Sequence, residues 1–432
     1  MIVGARTPDD PEARGRVWIE DGRIIGVEKR TGRSRVPHLL PVIDFHGDWL
    51  LPGWMDLQVN DIAWLARGLK APGAHAERIR AAARHQAERG VTGLVLATLA
   101  APLEEIEAYL RGAAEVLRSP GRDGGSFLGV LVEGTFMNPE HHGAHNPKHV
   151  LAPSVAALER ILRPGSARLI NVAPEMGGDA LAVIGAARSA GLVVGVGHAK
   201  PSGERVRAAV KAGLRYVIHW GNGPTGSSLK AFGGGGLLEE ALRNDRLTLT
   251  VIADGVHLDR ALVRDALARK GRSGLIAVSD AGFAFGPPST RFRVYGIRGA
   301  VSSDGTHLRV APERGREFRR ANPHTSDAVR LFGSAVGMGD VFQNLLSWLT
   351  VAEPGVWTRL HRALPFLEAL RWASDITSRN PARLLEMRDR GRIAPGMRAD
   401  FLRAAILHSP GRARVRVKSV WVAGARVRPS TP

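Results

Sequence analysis

Eight short apolar runs recur through the middle of the chain, and each is followed by a helical pattern or a long loop. Continuous apolar runs of this length are typical of strands buried on both faces, as in parallel sheets. Eight such βα units over a few hundred residues predict a (β/α)8 barrel. The runs are WMDLQVN (54–60), TGLVLAT (92–98), FLGVLVEG (127–134), ARLINVAPE (167–175), LVVGVGH (192–198), RYVIHWGN (215–222), LTLTVIADG (247–255) and LIAVSDA (275–281).

Polar residues stand at the ends of these runs. In a barrel they would all face the C-terminal mouth, where barrel enzymes carry out their chemistry. An open doubly wound sheet also alternates strands and helices, but it gathers ligands at one switch point. Polar residues drawn from the first, third, fifth, sixth, seventh and eighth runs therefore favour the barrel. They are Gln58, Asn60, Glu133, His198, His219, Asp254 and Asp280.

The two ends of the chain carry a different pattern. Residues 15–29 form two alternating runs around Asp21-Gly22, which predicts a hairpin, and residues 399–407 and 417–427 are also strand-like. We expect both ends to pair as a small β-sandwich of residues 1–50 and 386–432, with the barrel over 51–385. The segment 286–330, rich in Pro, Gly, Arg and Ser, is too long for an ordinary barrel loop and predicts a lid or hairpin over the mouth.

Composition narrows the function classes. The chain has 432 residues and no cysteine, which excludes disulfides, thiolate metal sites and cysteine nucleophiles. No apolar run approaches the roughly 20 residues of a membrane span, and the first ten residues lack a signal-peptide pattern. The expectation is a cytoplasmic protein without a membrane partner.

The net charge of +19 comes from arginines spread along the chain, and only 6% of the residues are aromatic. A nucleic-acid site would need clustered basic residues with aromatic platforms, so no nucleic-acid partner is expected. Compositional bias is the favoured interpretation of the charge, and attraction of an anionic substrate is the alternative.

One carboxylate and two imidazoles define the predicted metal site. Taken singly, Glu133, His198 and His219 have ordinary structural explanations, such as hydrogen bonding at a helix end or burial in the core. Together, at the ends of three strands of one barrel, they are the donor set of a catalytic zinc-type site with an open position for water.

Asp280, at the end of the eighth run, could cap the following helix. Opposite a metal site it is better interpreted as the general base that takes a proton from water.

Gln58 and Asn60 lie two apart on the first strand, so both side chains face the barrel interior. Neutral amides are poor zinc ligands, which favours a single metal with the amides orienting water. A purely structural role for the two amides is equally open. His257 is a candidate for substrate contact, and a structural role in its turn is as plausible. Of His141, His142 and His145, at least two are expected at the surface.

These motifs resemble the N-acetylglucosamine-6-phosphate deacetylases of the amidohydrolase superfamily over nearly the whole chain. Gln58-x-Asn60 is quite a specific match, because many sister families carry His-x-His there. The matching segments include LLPGWMDLQVND, VEGTFMNPEHHGAHNPKHV, VGVGHAKPS, VIADGVHLD, VSDA and SRNPARLLEMRDRGRIAPGMRADF.

The resemblance implies that Glu133, His198 and His219 bind one divalent metal, expected to be Zn2+, with Fe2+, Mn2+ or Co2+ as alternatives. It also implies that Asp280 is the catalytic acid and base and that His145 polarises the acetamide carbonyl.

The substrate side of the site follows from the same resemblance. Asn222, the backbone of Gly223 and His257 would meet a sugar phosphate. Family members are commonly homodimers in which a basic residue of the neighbouring subunit reaches the phosphate, and Lys230 is the nearest match. Gln58 and Asn60 are placed with these substrate-binding residues.

Departures from the family pattern fall mainly on the substrate side. Thr135 replaces a proline, and Trp220-Gly221-Asn222-Gly223-Pro224 replaces the usual sequence after the second histidine. These departures leave the metal chemistry intact, so the residues define the reaction class better than the substrate. The favoured function is deacetylation of N-acetylglucosamine 6-phosphate. The alternatives are N-acetylgalactosamine 6-phosphate, another N-acyl amine or cyclic amide, and a barrel that binds without catalysis.

Overall fold

The computed structural model describes nine stretches of the chain, which are 1–12, 15–28, 41–65, 72–121, 125–222, 235–287, 291–310, 331–353 and 361–428.

A parallel eight-stranded sheet forms the centre of the molecule, in the order β6 to β13. Every neighbouring pair in this sheet is parallel. All eight predicted strands are present, which confirms the barrel. The strands are β6 (Trp54–Asn60), β7 (Val91–Ala97), β8 (Ser126–Phe136), β9 (Ala167–Val172), β10 (Val193–Val196), β11 (Leu214–Val217), β12 (Thr248–Ile252) and β13 (Leu275–Val278).

The first and last barrel strands meet at their carboxyl ends. Val59 bridges to Ala281 in parallel, and the amide of Asn60 donates to the carbonyl of Ala281 at 2.7 Å. Further down, the buried carboxylate of Asp56 accepts from the Ser279 hydroxyl at 2.5 Å and from the Ser279 amide at 3.2 Å. Asp56 therefore joins β6 to the chain that follows β13.

Helices cover the outside of the barrel because each has one apolar face. In the helix at Leu103–Arg118, Leu103, Ile106 and Leu110 are buried. Glu104 and Glu105 occupy the first turn, where carboxylates interact favourably with the positive end of the helix dipole. The helices are α1 (Ile62–Leu65), α2 (Pro72–Glu88), α3 (Leu103–Arg118), α4 (Val155–Leu162), α5 (Ala180–Ser189), α6 (Gly203–Ala212), α7 (Leu237–Arg243), α8 (Arg260–Lys270), α9 (Met338–Leu349), α10 (Phe366–Ser374) and α11 (Asn380–Leu384), with a π-helical turn at Asp375–Arg379 and 3-10 turns at Pro139–His141 and Pro147–His149.

Two small sheets, in the orders β3-β2-β1-β4 and β20-β19-β18-β5, form the predicted sandwich from both ends of the chain. They share one apolar core, in which the ring of Trp421 stacks on the rings of both Phe45 and Phe401. The strands are β1 (Ile2–Val3), β2 (Arg16–Glu20), β3 (Arg23–Glu28), β4 (Ile43–Asp44), β5 (Trp49–Pro52), β18 (Phe401–Ser409), β19 (Arg412–Val422) and β20 (Ala425–Arg426).

The hairpin expected around Asp21-Gly22 joins β2 to β3, with both turn residues at positive φ, as a two-residue hairpin turn requires. Strand β5 spans the predicted boundary between residues 50 and 51, and the boundaries themselves stay a prediction.

A fourth sheet lies between Asp280 and α9. Its antiparallel strands are β14 (Arg291–Val294), β15 (Ile297–Val301), β16 (His307–Val310) and β17 (Leu331–Ser334). Within the predicted lid or hairpin, β14 and β15 do form a hairpin. Residues 288–290 and 311–330 of that segment lie outside the described residues.

Candidate active site

Glu133 lies inside β8, three residues before the strand ends, rather than at its end as the sequence suggested. The hydroxyl of Thr98, which follows β7, accepts from the Glu133 amide at 3.0 Å and donates to its carbonyl at 2.9 Å. These two bonds fix the backbone of Glu133 to the residue that follows the neighbouring strand β7.

The two predicted imidazole ligands follow β10 and β11 and converge on the same carboxylate. Oε1 of Glu133 lies 3.1 Å from Nε2 of His219 and 3.5 Å from Nε2 of His198. Burial acts to raise the pKa of Glu133, but the hydrogen bonds with His198 and His219 bring it well below its ordinary value. The carboxylate is therefore held in its ionised form.

The three residues fit a metal ion. One donor atom from each lies within 4.8 Å of the other two, and all three residues are buried. Nδ1 of His198 lies 3.0 Å from the carbonyl of His141, to which it can donate in the neutral ring, and the Nε2 lone pair of that ring would then be available to a cation. Among the described residues this is the one cluster with such geometry.

His198, His219 and Asp280 share an uncommon backbone conformation, with φ of 48°, 31° and 47°. Non-glycine residues at positive φ cost on the order of 1–3 kcal/mol each and persist where the surroundings impose them. For Asp280 those surroundings are visible, because its carbonyl accepts from the amide of Ser334 at 2.9 Å, and Ala281 is tied to Asn60. The sequence carried no sign of this feature.

Asp280 is a buried carboxyl beside the metal cluster. Burial, and next the charge of Glu133, raise the pKa of Asp280 to about 7. Asn60 opposes this shift, since its Nδ2 donates to Oδ1 of Asp280 at 2.9 Å. A carboxyl with a pKa near neutrality can both take up and release a proton.

The two amides of β6 face the site together, as the period of two predicted. Nδ2 of Asn60 reaches Asp280, and Nε2 of Gln58 donates to Oε2 of Glu133 at 2.9 Å. Each amide thus orients one of the two carboxylates.

His145 is buried on the loop after β8. Its Nδ1 accepts from the amide of Ala100 at 3.1 Å, so the proton of the neutral ring sits on Nε2. That atom faces the cluster, 3.8 Å from Oε1 of Glu133. Burial, reinforced by His198, lowers the pKa of His145 to about 3, so the ring is a neutral donor.

His257 is fixed by Asp254. Oδ2 of Asp254 lies 2.6 Å from Nδ1 of His257, and Oδ1 accepts from the His257 amide at 2.9 Å. Burial acts to raise the pKa of Asp254, but the bond with His257 brings it below its ordinary value. Nε2 of His257 is buried, and the residue lines the cavity.

A cavity of about 440 Å3 contains this constellation. Its described lining includes no lysine or arginine, and it includes the carboxylate residue Glu140. The lining residues are Asn60, Ile62, Leu99, Glu133, Glu140, His142, Gly143, Ala144, His145, His198, His219, Asn222, His257, Asp280, Leu331, Phe332 and Gly333.

Curated proteins of related sequence are sugar-phosphate deacetylases, while no protein-family model matches the chain. The N-acetylgalactosamine-6-phosphate deacetylase of Escherichia coli O157:H7 is 28% identical over 290 residues, 67% of this chain and 71% of the relative. The N-acetylglucosamine-6-phosphate deacetylase of Vibrio furnissii is 30% identical over 278 residues, 63% of this chain and 65% of the relative.

Solved structures agree with these relatives. A mutant N-acetyl-D-glucosamine-6-phosphate deacetylase of Mycobacterium smegmatis, in complex with N-acetyl-D-glucosamine-6-phosphate, matches with a TM-score of 0.74 and 25% identity, over 96% of this chain and 94% of that one. The chain is similar to N-acetylglucosamine-6-phosphate deacetylases in sequence over about two thirds of its length and in fold over nearly all of it. At 20% identity, the family member of Pasteurella multocida shares the fold with a TM-score of 0.75, over 98% of both chains.

Two of the predicted substrate-binding residues, Gly223 and Lys230, lie outside the described residues. Asn222, the last described residue before them, lines the cavity. His141 and His142 are half-buried, although at least two of the three loop histidines were expected at the surface, and His142 also lines the cavity.

Sequence reasoning missed Thr98, Asp56 and the cavity wall of Leu331, Phe332 and Gly333. A threonine or aspartate in or next to a buried strand has no periodic signal that separates it from a structural residue. Asp56 shares its run with the polar residues Gln58 and Asn60, so its polarity alone did not set it apart.

Proposed function

We propose that the protein hydrolyses the acetamide of N-acetylglucosamine 6-phosphate, releasing acetate and glucosamine 6-phosphate. The observation that carries this proposal is the meeting of Glu133, His198 and His219 with Asp280 and His145 on one cavity. These residues come from different strands and loops, and together they supply a metal-ligand set, a proton carrier and a neutral hydrogen-bond donor.

Glu133, His198 and His219 would hold one divalent metal, for which we propose Zn2+, with Fe2+, Mn2+ and Co2+ as alternatives. Such an ion, when bound, lowers the pKa of water and polarises a carbonyl oxygen. Gln58 would keep the Glu133 carboxylate in place through its 2.9 Å hydrogen bond.

Asp280 would move the proton. Its carboxylate takes a proton as the water oxygen bonds to the acetamide carbon, and it returns that proton to the nitrogen as the C–N bond breaks. A pKa raised to about 7 by burial suits both steps, because neither protonation state is strongly disfavoured near neutral pH.

His145 would bind the carbonyl oxygen of the acetamide. Its Nε2 carries the proton of the neutral ring, since Nδ1 accepts from Ala100. A donor aimed at the oxygen stabilises the negative charge that develops there in the transition state.

The rest of the cavity would bind the sugar phosphate. Asn222 and His257 line it, and we place the backbone of Gly223 and Lys230 with them as phosphate contacts. Lys230 would come from the neighbouring subunit of a homodimer.

N-acetylgalactosamine 6-phosphate is the second candidate, because the relative from E. coli O157:H7 is named for it. Acetate release should be measured from both phosphates and from the two unphosphorylated sugars, with Asp280→Asn as the inactive control. The proposal predicts the highest kcat/KM for N-acetylglucosamine 6-phosphate. A higher value for the galactosamine analogue would favour the second candidate, and no acetate from any of the four sugars would contradict both.

A further inference from the structure

The β14–β15 hairpin (291–301) contacts the loop that carries His145. Its two-residue turn is Tyr295-Gly296, with φ of 47° and 82°. The hairpin base is anchored by aromatic packing, in which the Phe292 ring lies 5.1 Å from both Phe283 and Phe332 in edge-on contacts. Since Phe332 lines the cavity, the hairpin is built onto the cavity wall.

At its tip, Tyr295 contacts two other parts of the mouth. Its hydroxyl donates to Oε2 of Glu105, in the first turn of α3, at 2.6 Å. Its carbonyl accepts from Nδ2 of Asn146 at 2.9 Å, and its ring lies edge-on to His149 at 5.7 Å. The loop from 142 to 149 is thereby tied to α3 through one residue.

Asn146 follows His145 in the sequence, and two hydrogen bonds within the loop also restrain it. The amide of His145 donates to the carbonyl of His142 at 3.0 Å, and Oδ1 of Asn146 accepts from the amide of Lys148 at 3.1 Å. Ala144 packs against the apolar cluster that includes Val294 and Leu308.

We propose that Tyr295 and Asn146 are positioning residues for His145, so that the β14–β15 hairpin fixes where Nε2 of His145 points. This rests on the proposed function of His145. The bond from Ala100 fixes the ring tautomer, while the hairpin fixes the loop from the solvent side. A displacement of about 1 Å in a positioned group can reduce turnover on the order of a hundredfold, so such support bears directly on rate.

Two variants each remove one contact, and a third variant is the control. Tyr295→Phe removes the hydroxyl that reaches Glu105 and keeps the ring. Asn146→Asp removes the donor to the Tyr295 carbonyl and keeps the acceptor for Lys148. Arg293→Gln is the matched control, because Arg293 is exposed on the same hairpin.

Hydrogen–deuterium exchange of the amides between 139 and 150 tests the proposal without any substrate. We expect exchange on the order of tenfold faster in Tyr295→Phe and Asn146→Asp, from the loss of one charge-assisted and one neutral hydrogen bond, and unchanged exchange in Arg293→Gln. Unchanged loop exchange in both variants would overturn the proposal. So would an equal acceleration across the barrel strands, since the contacts would then stabilise the whole fold.

Kinetics supply the second readout. In the otherwise unaltered chain, Tyr295→Phe should lower kcat by roughly tenfold and change KM by no more than about twofold. When His145→Gln is already present, adding Tyr295→Phe should cause no further loss of kcat. A further loss in that background would contradict action through His145. If the unaltered protein turns over none of the sugars, the proposed function fails, while the exchange experiment still decides the role of the hairpin.

Discussion

Nδ2 of Asn60 donates a 2.9 Å hydrogen bond to Oδ1 of Asp280, which joins the first and last strands of the barrel at the proposed site of proton transfer. Burial and the charge of Glu133 raise the pKa of Asp280, while His219, His257 and the bond from Asn60 favour the ionised carboxylate. Asn60 is therefore one of the groups that set the pH range in which Asp280 can accept a proton.

Asn60→Leu should shift that range. Loss of the donor removes stabilisation from the charged form, so the pKa of Asp280 rises. Because a base must be deprotonated to act, the acidic limb of kcat/KM should move to higher pH, by about one unit for a hydrogen bond of typical strength. The pH–rate profile measures this shift, and an unmoved limb would show that Asp280 does not limit the acidic side.

Gln58→Leu is the paired variant on the same face of β6. Gln58 donates to Glu133, a proposed metal ligand, so its loss should weaken metal binding by about 10–100-fold and leave the acidic limb in place. Competition with a chelator measures the affinity. A Gln58→Leu protein with unchanged affinity and a shifted limb would reverse the roles assigned to the two amides.

Asp280→Asn should lower kcat by about 10²–10⁴-fold, the usual contribution of a general acid–base group. Metal content per chain should stay as in the unaltered protein, because Asp280 is not among the three clustered ligands. Asp265→Asn on the outer helix α8 should change neither quantity. Loss of metal together with activity in Asp280→Asn would make Asp280 a ligand rather than a proton carrier.

Asp56 gives a prediction for stability. Burial raises its pKa to about 6, against hydrogen bonds from Ser279 and Gln58 that favour the charge. Below about pH 4 the group is protonated in both folded and unfolded chains, and between pH 4 and 6 the folded chain holds the extra proton. Stability from this group is therefore present at low pH and lost as pH rises through about 6.

Denaturant unfolding at pH 4 and pH 7 tests this sign. Asp56→Asn cannot ionise, so the unaltered protein should lose on the order of 2–3 kcal/mol more unfolding free energy than the variant over this interval. Equal losses in the two proteins would mean that Asp56 is not held in its protonated form.

Much of the fold followed from the sequence because its signals are periodic and local. Short, mainly apolar runs located all eight barrel strands, and turn residues such as Asp21-Gly22 located the sandwich hairpin. The cluster of Glu133, His198 and His219 could be predicted because parallel strands deliver their carboxyl ends to one mouth.

The supporting contacts could not be predicted in the same way. The bonds from Thr98 to Glu133, from Ala100 to His145 and from Tyr295 to Glu105 join residues far apart in sequence, and two of these bonds use backbone groups that every residue carries. The positive φ of His198 and His219 leaves no mark in residue type.

Stoichiometric reconstitution tests the central claim most directly. The protein is stripped with a chelator, Zn2+ is added in fractional equivalents, and acetate release from N-acetylglucosamine 6-phosphate is followed. Three clustered ligands predict that activity returns linearly and saturates at about one equivalent per chain, and that Glu133→Gln shows no such recovery. Full activity in the stripped protein, or equal recovery in Glu133→Gln, would contradict the account.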